Sequence, residues 1–103
     1  MNQLRNWRKK EKKDSKDFNA KQTKGSGNQW YMPGDSRNKY FLFDSKFTKG
    51  KGYRLTQETW DKIYEQALFS LRTPALSIQI QKLELVVLSK EDFIKLAHAS
   101  GLL

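Results

Sequence analysis

Met32-Pro33-Gly34-Asp35-Ser36-Arg37-Asn38-Lys39-Tyr40-Phe41-Leu42-Phe43-Asp44-Ser45-Lys46-Phe47 is the stretch on which the reading of this chain turns. Pro33-Gly34 is a turn signal. Lys39 to Phe47 is aromatic-rich and free of Gly and Pro, the composition of a strand. Side chains alternate along a strand, so Phe41, Phe43, Ser45 and Phe47 share one face and Tyr40, Leu42, Asp44 and Lys46 the other. The first face is expected to cover a core. The second sets Asp44 and Lys46 side by side, pointing the same way. Asp35 precedes Asp44 across a turn, and a chain returning along the strand brings it to the same sheet edge.

Downstream, Thr56 to Leu71 reads as a helix, with Thr56 as its cap, Glu58 near its positive end and Trp60, Ile63, Tyr64, Ala67, Leu68 and Leu71 as an apolar stripe. Ala75 to Gln81 alternates, and Leu83 to Leu88 forms a second strand across a short Gln81-Lys82 break, a hairpin without the usual Gly or Asn. Gln79, on the polar face of that strand, is expected to border the acid–lysine motif. Ser89 and Asp92 resemble a capping box opening a last helix that buries Phe93, Leu96 and Ala97. The lone His98 falls at that helix's end and is expected on the surface. Upstream, Leu4, Trp7, Glu11, Ser15 and Phe18 recur at helical steps in a basic segment, which also suits a disordered arm. Asn19 to Asn28 is a breaker region with a Gly25-Ser26-Gly27 loop, and Gln29 to Met32 a short strand candidate. The expected fold is α/β (α+β), a mixed sheet of about four strands flanked by helices in the order α-β-β-α-β-β-α.

The chain has 103 residues, one domain's worth, with residues 1–24 a basic N-terminal helix or arm. It lacks cysteine, which excludes disulfides, thiolate metal sites and a cysteine nucleophile. No apolar run is long enough to span a bilayer and no secretory h-region follows the start, so a cytoplasmic protein without a membrane partner is expected. Net charge is +9, unevenly spread: +6 over residues 1–28, +4 over 29–54 and −1 over 55–103. A polyanionic partner, most simply nucleic acid, follows from the basic half. A solubilising tail, or an arm for ribosome or lipid, has the same charge signature.

An acid-x-lysine tripeptide is cheap, and Asp14-Ser15-Lys16 repeats Asp44-Ser45-Lys46. Only the strand copy puts acid and lysine on one side, since helix residues two apart do not face each other. Mg²⁺ takes about six hard oxygen ligands at roughly 2.0–2.1 Å and keeps some waters. Asp35, Asp44 and the backbone carbonyl of Ser45 would hold it, leaving room for water and phosphate, with Lys46 stabilising charge on the phosphate. A surface salt bridge is the plainer reading of the same residues.

Gly25-Ser26-Gly27-Asn28, Pro33-Gly34-Asp35-Ser36-Arg37 and Phe41-Leu42-Phe43-Asp44-Ser45-Lys46-Phe47-Thr48 together resemble the PD-(D/E)XK nuclease superfamily. Within it the resemblance is to small Holliday-junction-resolvase-like endonucleases of phages and archaea, and it spans about Glu11 to Leu88. It implies a restriction-endonuclease-like fold, with Asp35 as first acid, Asp44 as second, Lys46 as catalytic lysine and Glu11 as the helix glutamate. Asp44 stands where close relatives carry glutamate and reaches less far, and Asp14 lies one turn from Glu11. The implied metal ligands are Asp35, Asp44, Ser45 and Glu11. Ser26, Lys24, Arg37, Lys49, Lys51 and Arg54 would contact nucleic acid.

The expectation is a Mg²⁺- or Mn²⁺-dependent endonuclease, a hydrolase of DNA phosphodiesters with a preference for branched DNA such as a Holliday junction. Two symmetric cuts imply a homodimer. The rival is a non-catalytic nucleic-acid-binding phage accessory protein of the same fold; a basic RNA- or ribosome-bound protein is a third reading.

Overall fold

Phe41–Thr48 forms the central strand of a five-stranded mixed sheet. The computed structural model describes residues 3–22 and 35–103, without the side chains of residues 3–7, 11, 22 and 35. In chain order the elements are α1 (Gln3–Asp17), β1 (Lys21–Gln22), β2 (Asp35–Arg37), β3 (Phe41–Thr48), α2 (Gln57–Phe69), β4 (Thr73–Ile80), β5 (Leu83–Val87) and α3 (Lys90–Ala99). The strands lie side by side in that order; β3 and β4 run parallel and every other pair antiparallel. The expected class, a mixed sheet with three helices, is what the chain forms. The element order differs from the expected one. Two strands of two and three residues, β1 and β2, precede β3, in regions read as breaker and turn, while the candidate strand at Gln29–Met32 lies outside the described residues.

Asn38 fixes how β2 meets β3. Its side-chain Oδ1 accepts from Tyr40 N (2.9 Å) and Phe41 N (2.8 Å), and its backbone N donates to Phe41 O (3.1 Å). This side-chain-to-backbone turn closes a hairpin over Lys39-Tyr40. Asn38 also ties in both neighbouring helix ends: its amide donates to Phe18 O, and Arg72 Nε donates to its carbonyl (2.6 Å).

The two faces of β3 alternate as the sequence predicts, but both are covered. Leu42, Phe43, Asp44 and Ser45 are all buried, because helices flank the sheet on both sides. α1 lies across β1, β2 and β3 on the face of Phe43 and Ser45, with the Phe18 ring stacked on Phe43 at 4.1 Å between centroids. α2 covers β3 and β4 on the face of Leu42, Asp44, Leu76 and Ile78, contributing Ile63 and Ala67 to the core. Much of the expected α2 stripe stays outside: Tyr64, Leu68 and Leu71 are exposed. So are Phe93 and Leu96 of α3; only Ala97 of the expected trio is buried.

Local rules account for the element ends. Thr56 Oγ1 accepts from Thr59 N and Ser89 Oγ from Asp92 N, as capping requires. All three helices stop in one motif. The amides of Ala20, Arg72 and Leu102 reach back to the carbonyls of Ser15, Ala67 and Ala97, with Asn19 (φ 51°), Leu71 (φ 58°) and Gly101 (φ 76°) left-handed before them. Pro74 is tolerated in β4 because Thr73 N already bonds Tyr40 O on the β3 side. The missing Pro74 N–H faces the other side, where β5 pairs only from Leu76 onward. Gln81 (φ 55°) takes the positive-φ place in the two-residue hairpin turn.

Candidate functional site

The hairpin register places Asp35 directly opposite Asp44, Ser36 opposite Phe43 and Arg37 opposite Leu42. Directly opposed residues of an antiparallel pair share a face. Asp35, Arg37, Asp44 and Lys46 therefore belong to one face, and Lys21, opposite Arg37, joins it from β1. Lys46 Nζ lies 3.3 Å from Asp44 Oδ2, with Asp44 nearly closed off and Lys46 still partly open. Among the described residues α2 covers only the β3–β4 part of this face, so the β1–β2 part has no helix over it.

Tyr53, which sequence reasoning missed, lies within electrostatic range of this pair. It is half-buried on the loop after β3, and burial raises its hydroxyl pKa above the usual 10.0; Lys46 opposes that rise and Asp44 adds to it. The phenol therefore stays protonated, a neutral donor beside an acid–lysine pair. Tyr53 follows a Lys/Gly loop with no periodic signal, so its position is a matter of tertiary structure alone. Lys49, Lys51 and Arg54 lie exposed on that loop, beyond the Lys46 end of β3.

Other expected residues are placed elsewhere. Ser45 turns to the opposite face, where its hydroxyl donates to Asp14 Oδ2 at 2.6 Å; only its backbone carbonyl could serve a metal. Glu11 belongs to α1, which packs on that opposite face, and its side chain lies outside the described residues, as do Lys24 and Ser26 altogether. Gln79 also falls on the Ser45–Ser77 face and donates to Gln81 O, so it does not border Asp44.

Beneath α1 lies a buried polar network that the apolar stripe of α1 did not foretell. Lys10 Nζ contacts Asp14 Oδ2 (3.0 Å) and donates to Ser77 Oγ (3.1 Å), and Asp14 also accepts from Ser45. Asp14 Oδ2 thus meets both an ammonium and a hydroxyl. Its carboxylate, with those of the exposed Asp17 and Glu84, forms a cluster within 4.8 Å that could hold a cation. Lys10 already neutralises Asp14 and Lys13 is ion-paired to Glu84, so this cluster carries its own counter-charges.

No protein-family model, curated protein or solved structure matches this chain. No helix among the described residues is long and apolar enough to cross a membrane.

Proposed function

We propose that this protein is a metal-dependent endodeoxyribonuclease of the PD-(D/E)XK type, cutting phosphodiesters of branched DNA in the cytoplasm with Mg²⁺ or Mn²⁺. The reading rests on one observation: Asp35 pairs directly with Asp44 while the Lys46 amine stands 3.3 Å from the Asp44 carboxylate. Like charges directly opposed across strands destabilise a sheet. The donor set is the hard oxygen type that Mg²⁺ prefers. Asp35, Asp44 and the Ser45 carbonyl would hold the ion. When bound, it supplies an acidified water and neutralises charge on the phosphate.

The chain's own groups do the rest. Asp35 and Asp44 orient the attacking water's side of the phosphate. Lys46 stabilises the negative charge growing on the phosphoryl oxygens. Tyr53 keeps its proton and donates a hydrogen bond to a non-bridging oxygen. Lys49, Lys51 and Arg54 carry the flanking backbone by charge.

Two matched cuts need two sites related by a two-fold axis. We assign β5 and α3 to a second copy of this chain. β5 is an edge strand whose Leu83, Leu85 and Val86 are exposed; exposed Phe93 lines a groove with Val86, and Leu96 of the same helix is also exposed. Residues 55–103 carry a net charge of −1, so two copies meet there without the repulsion of the basic half.

The test is nicking of supercoiled DNA in Mg²⁺ by the wild type and by Lys46→Ala, with DNA binding measured in EDTA. The nuclease reading requires cleavage by the wild type and its loss in the variant while binding persists. Wild-type binding without cleavage of any linear, nicked or branched DNA would leave the non-catalytic DNA-binding protein instead.

A further inference from the structure

A second feature lies beside the acid pair, on the β1–β2 strip that no helix among the described residues covers. Asn19, Lys21, Arg37, Asn38, Lys39, Tyr40 and Arg72 line a groove of about 510 Å³ around the β2–β3 turn. Four of these are cations and none is an acid. The C-terminal ends of α1 and α2 open here, and their carbonyls favour positive charge. Arg72 is partly spent on that, donating to Ser70 O (3.0 Å) and Asn38 O. Among the described residues that line the groove no carboxylate neutralises Lys21, Arg37 and Lys39. At the rim Tyr40 is 65% exposed, and Lys39 Nζ sits 5.6 Å from its ring centre. Exposed aromatic rings set among cations are how proteins hold unpaired nucleic-acid bases.

Position ties the groove to the site. Arg37–Leu42 is two residues from Asp35–Asp44 along the same strands, ~6.6 Å at the strand rise. That is close to one step between neighbouring phosphates along a DNA strand.

We propose that this groove holds the DNA backbone about one nucleotide from the phosphate at Asp44, through Lys21, Arg37 and Lys39, and that Tyr40 stacks an unpaired base of the same strand. The groove thereby makes a single-strand/duplex boundary, rather than continuous duplex, the preferred substrate. The inference rests on the nuclease reading for its direction along the strand, but its binding test does not.

The test is fluorescence anisotropy in EDTA with three DNA probes of equal length: a duplex, a single strand and a duplex bearing a single-stranded flap, together with an RNA copy of the single strand. Lys21→Ala/Lys39→Ala should weaken binding to every DNA probe and lower the magnitude of the salt slope on duplex by about two, at ~0.9 for each phosphate no longer neutralised. Tyr40→Ala should weaken the flap and single strand roughly tenfold and leave the duplex unchanged; Tyr40→Phe should restore both. All three positions are exposed, and a melting curve on each variant confirms folding. An unchanged salt slope, an equal loss on duplex for Tyr40→Ala, or tighter binding of RNA than of the DNA single strand would overturn the proposal. Metal-dependent cleavage surviving those outcomes would leave the nuclease reading standing. Absent cleavage with the expected binding pattern would remove only that reading.

Discussion

Replacing Asp14 by alanine should be among the most damaging single changes in this fold. The side chains of Lys10 and Asp14 are 1% and 3% exposed, and they meet at 3.0 Å. Removing the acid leaves a buried ammonium with Ser77 Oγ as its one partner among the described residues and takes the acceptor from Ser45. Breaking a buried pair from one side costs about 3–5 kcal/mol, because an uncompensated charge stays inside. Against a total stability of about 5–15 kcal/mol for a domain, that is a large share. At roughly 4–8 °C per kcal/mol, Tm should fall by ~12 °C or more. Lys10→Met with Asp14→Leu removes both charges while keeping similar volume, and should recover most of that loss, the remainder coming from the Ser45 and Ser77 hydroxyls that lose these partners. Urea unfolding followed by circular dichroism measures both. A cost below ~1 kcal/mol for Asp14→Ala, or a double variant as unstable as the single, would show that the network does not carry this share of the stability.

Three further outcomes follow from particular residues. Leu71 is 90% exposed at φ 58°, a conformation costing an L-residue roughly 1–2 kcal/mol, so Leu71→Gly should raise stability by about 1 kcal/mol on thermal melting. Tyr53 holds its proton more tightly folded than unfolded, so stability should be intact below pH 10.0 and decline as pH rises past it; in an ultraviolet titration Tyr53→Phe should remove a phenol that ionises above that value. Leu85→Asp, placed on the exposed edge strand, should shift the light-scattering mass from twice 12.1 kDa towards that single-chain value while leaving the far-ultraviolet spectrum unchanged.

Period and punctuation in the sequence carry much of this fold. The two-residue alternation of Phe41 to Lys46 puts Asp44 and Lys46 on one face, and Thr56 and Ser89 announce the helices they cap. β1 and β2 are too short for any period to register. Their pairing depends on Asn38, whose side chain sets the turn that brings Asp35 opposite Asp44. α1 misleads for a different reason: an apolar stripe is sought on helices, whereas this helix buries Lys10 and Asp14 against Ser45 and Ser77. The Lys10–Asp14 pair has the i,i+4 spacing of a helix and is local, but Ser77 and Ser45, which complete its burial, come from distant strands and leave no local trace. The same holds for Tyr53, and for Lys21, Lys39 and Arg72, which meet around a turn from three separate segments.

Among the described residues the acidic side chains that come together closely enough to hold a cation are Asp14, Asp17 and Glu84, whereas the proposed site lies on the other face, where Asp35 pairs with Asp44. Cleavage of a four-way DNA junction, with Mg²⁺ and with EDTA, by the wild type, Asp44→Asn and Glu84→Gln separates them. A site at Asp35 and Asp44 predicts cleavage only with Mg²⁺, undiminished in Glu84→Gln and abolished in Asp44→Asn. Loss of cleavage in Glu84→Gln with Asp44→Asn still active, or no Mg²⁺-dependent cleavage by the wild type, would contradict it.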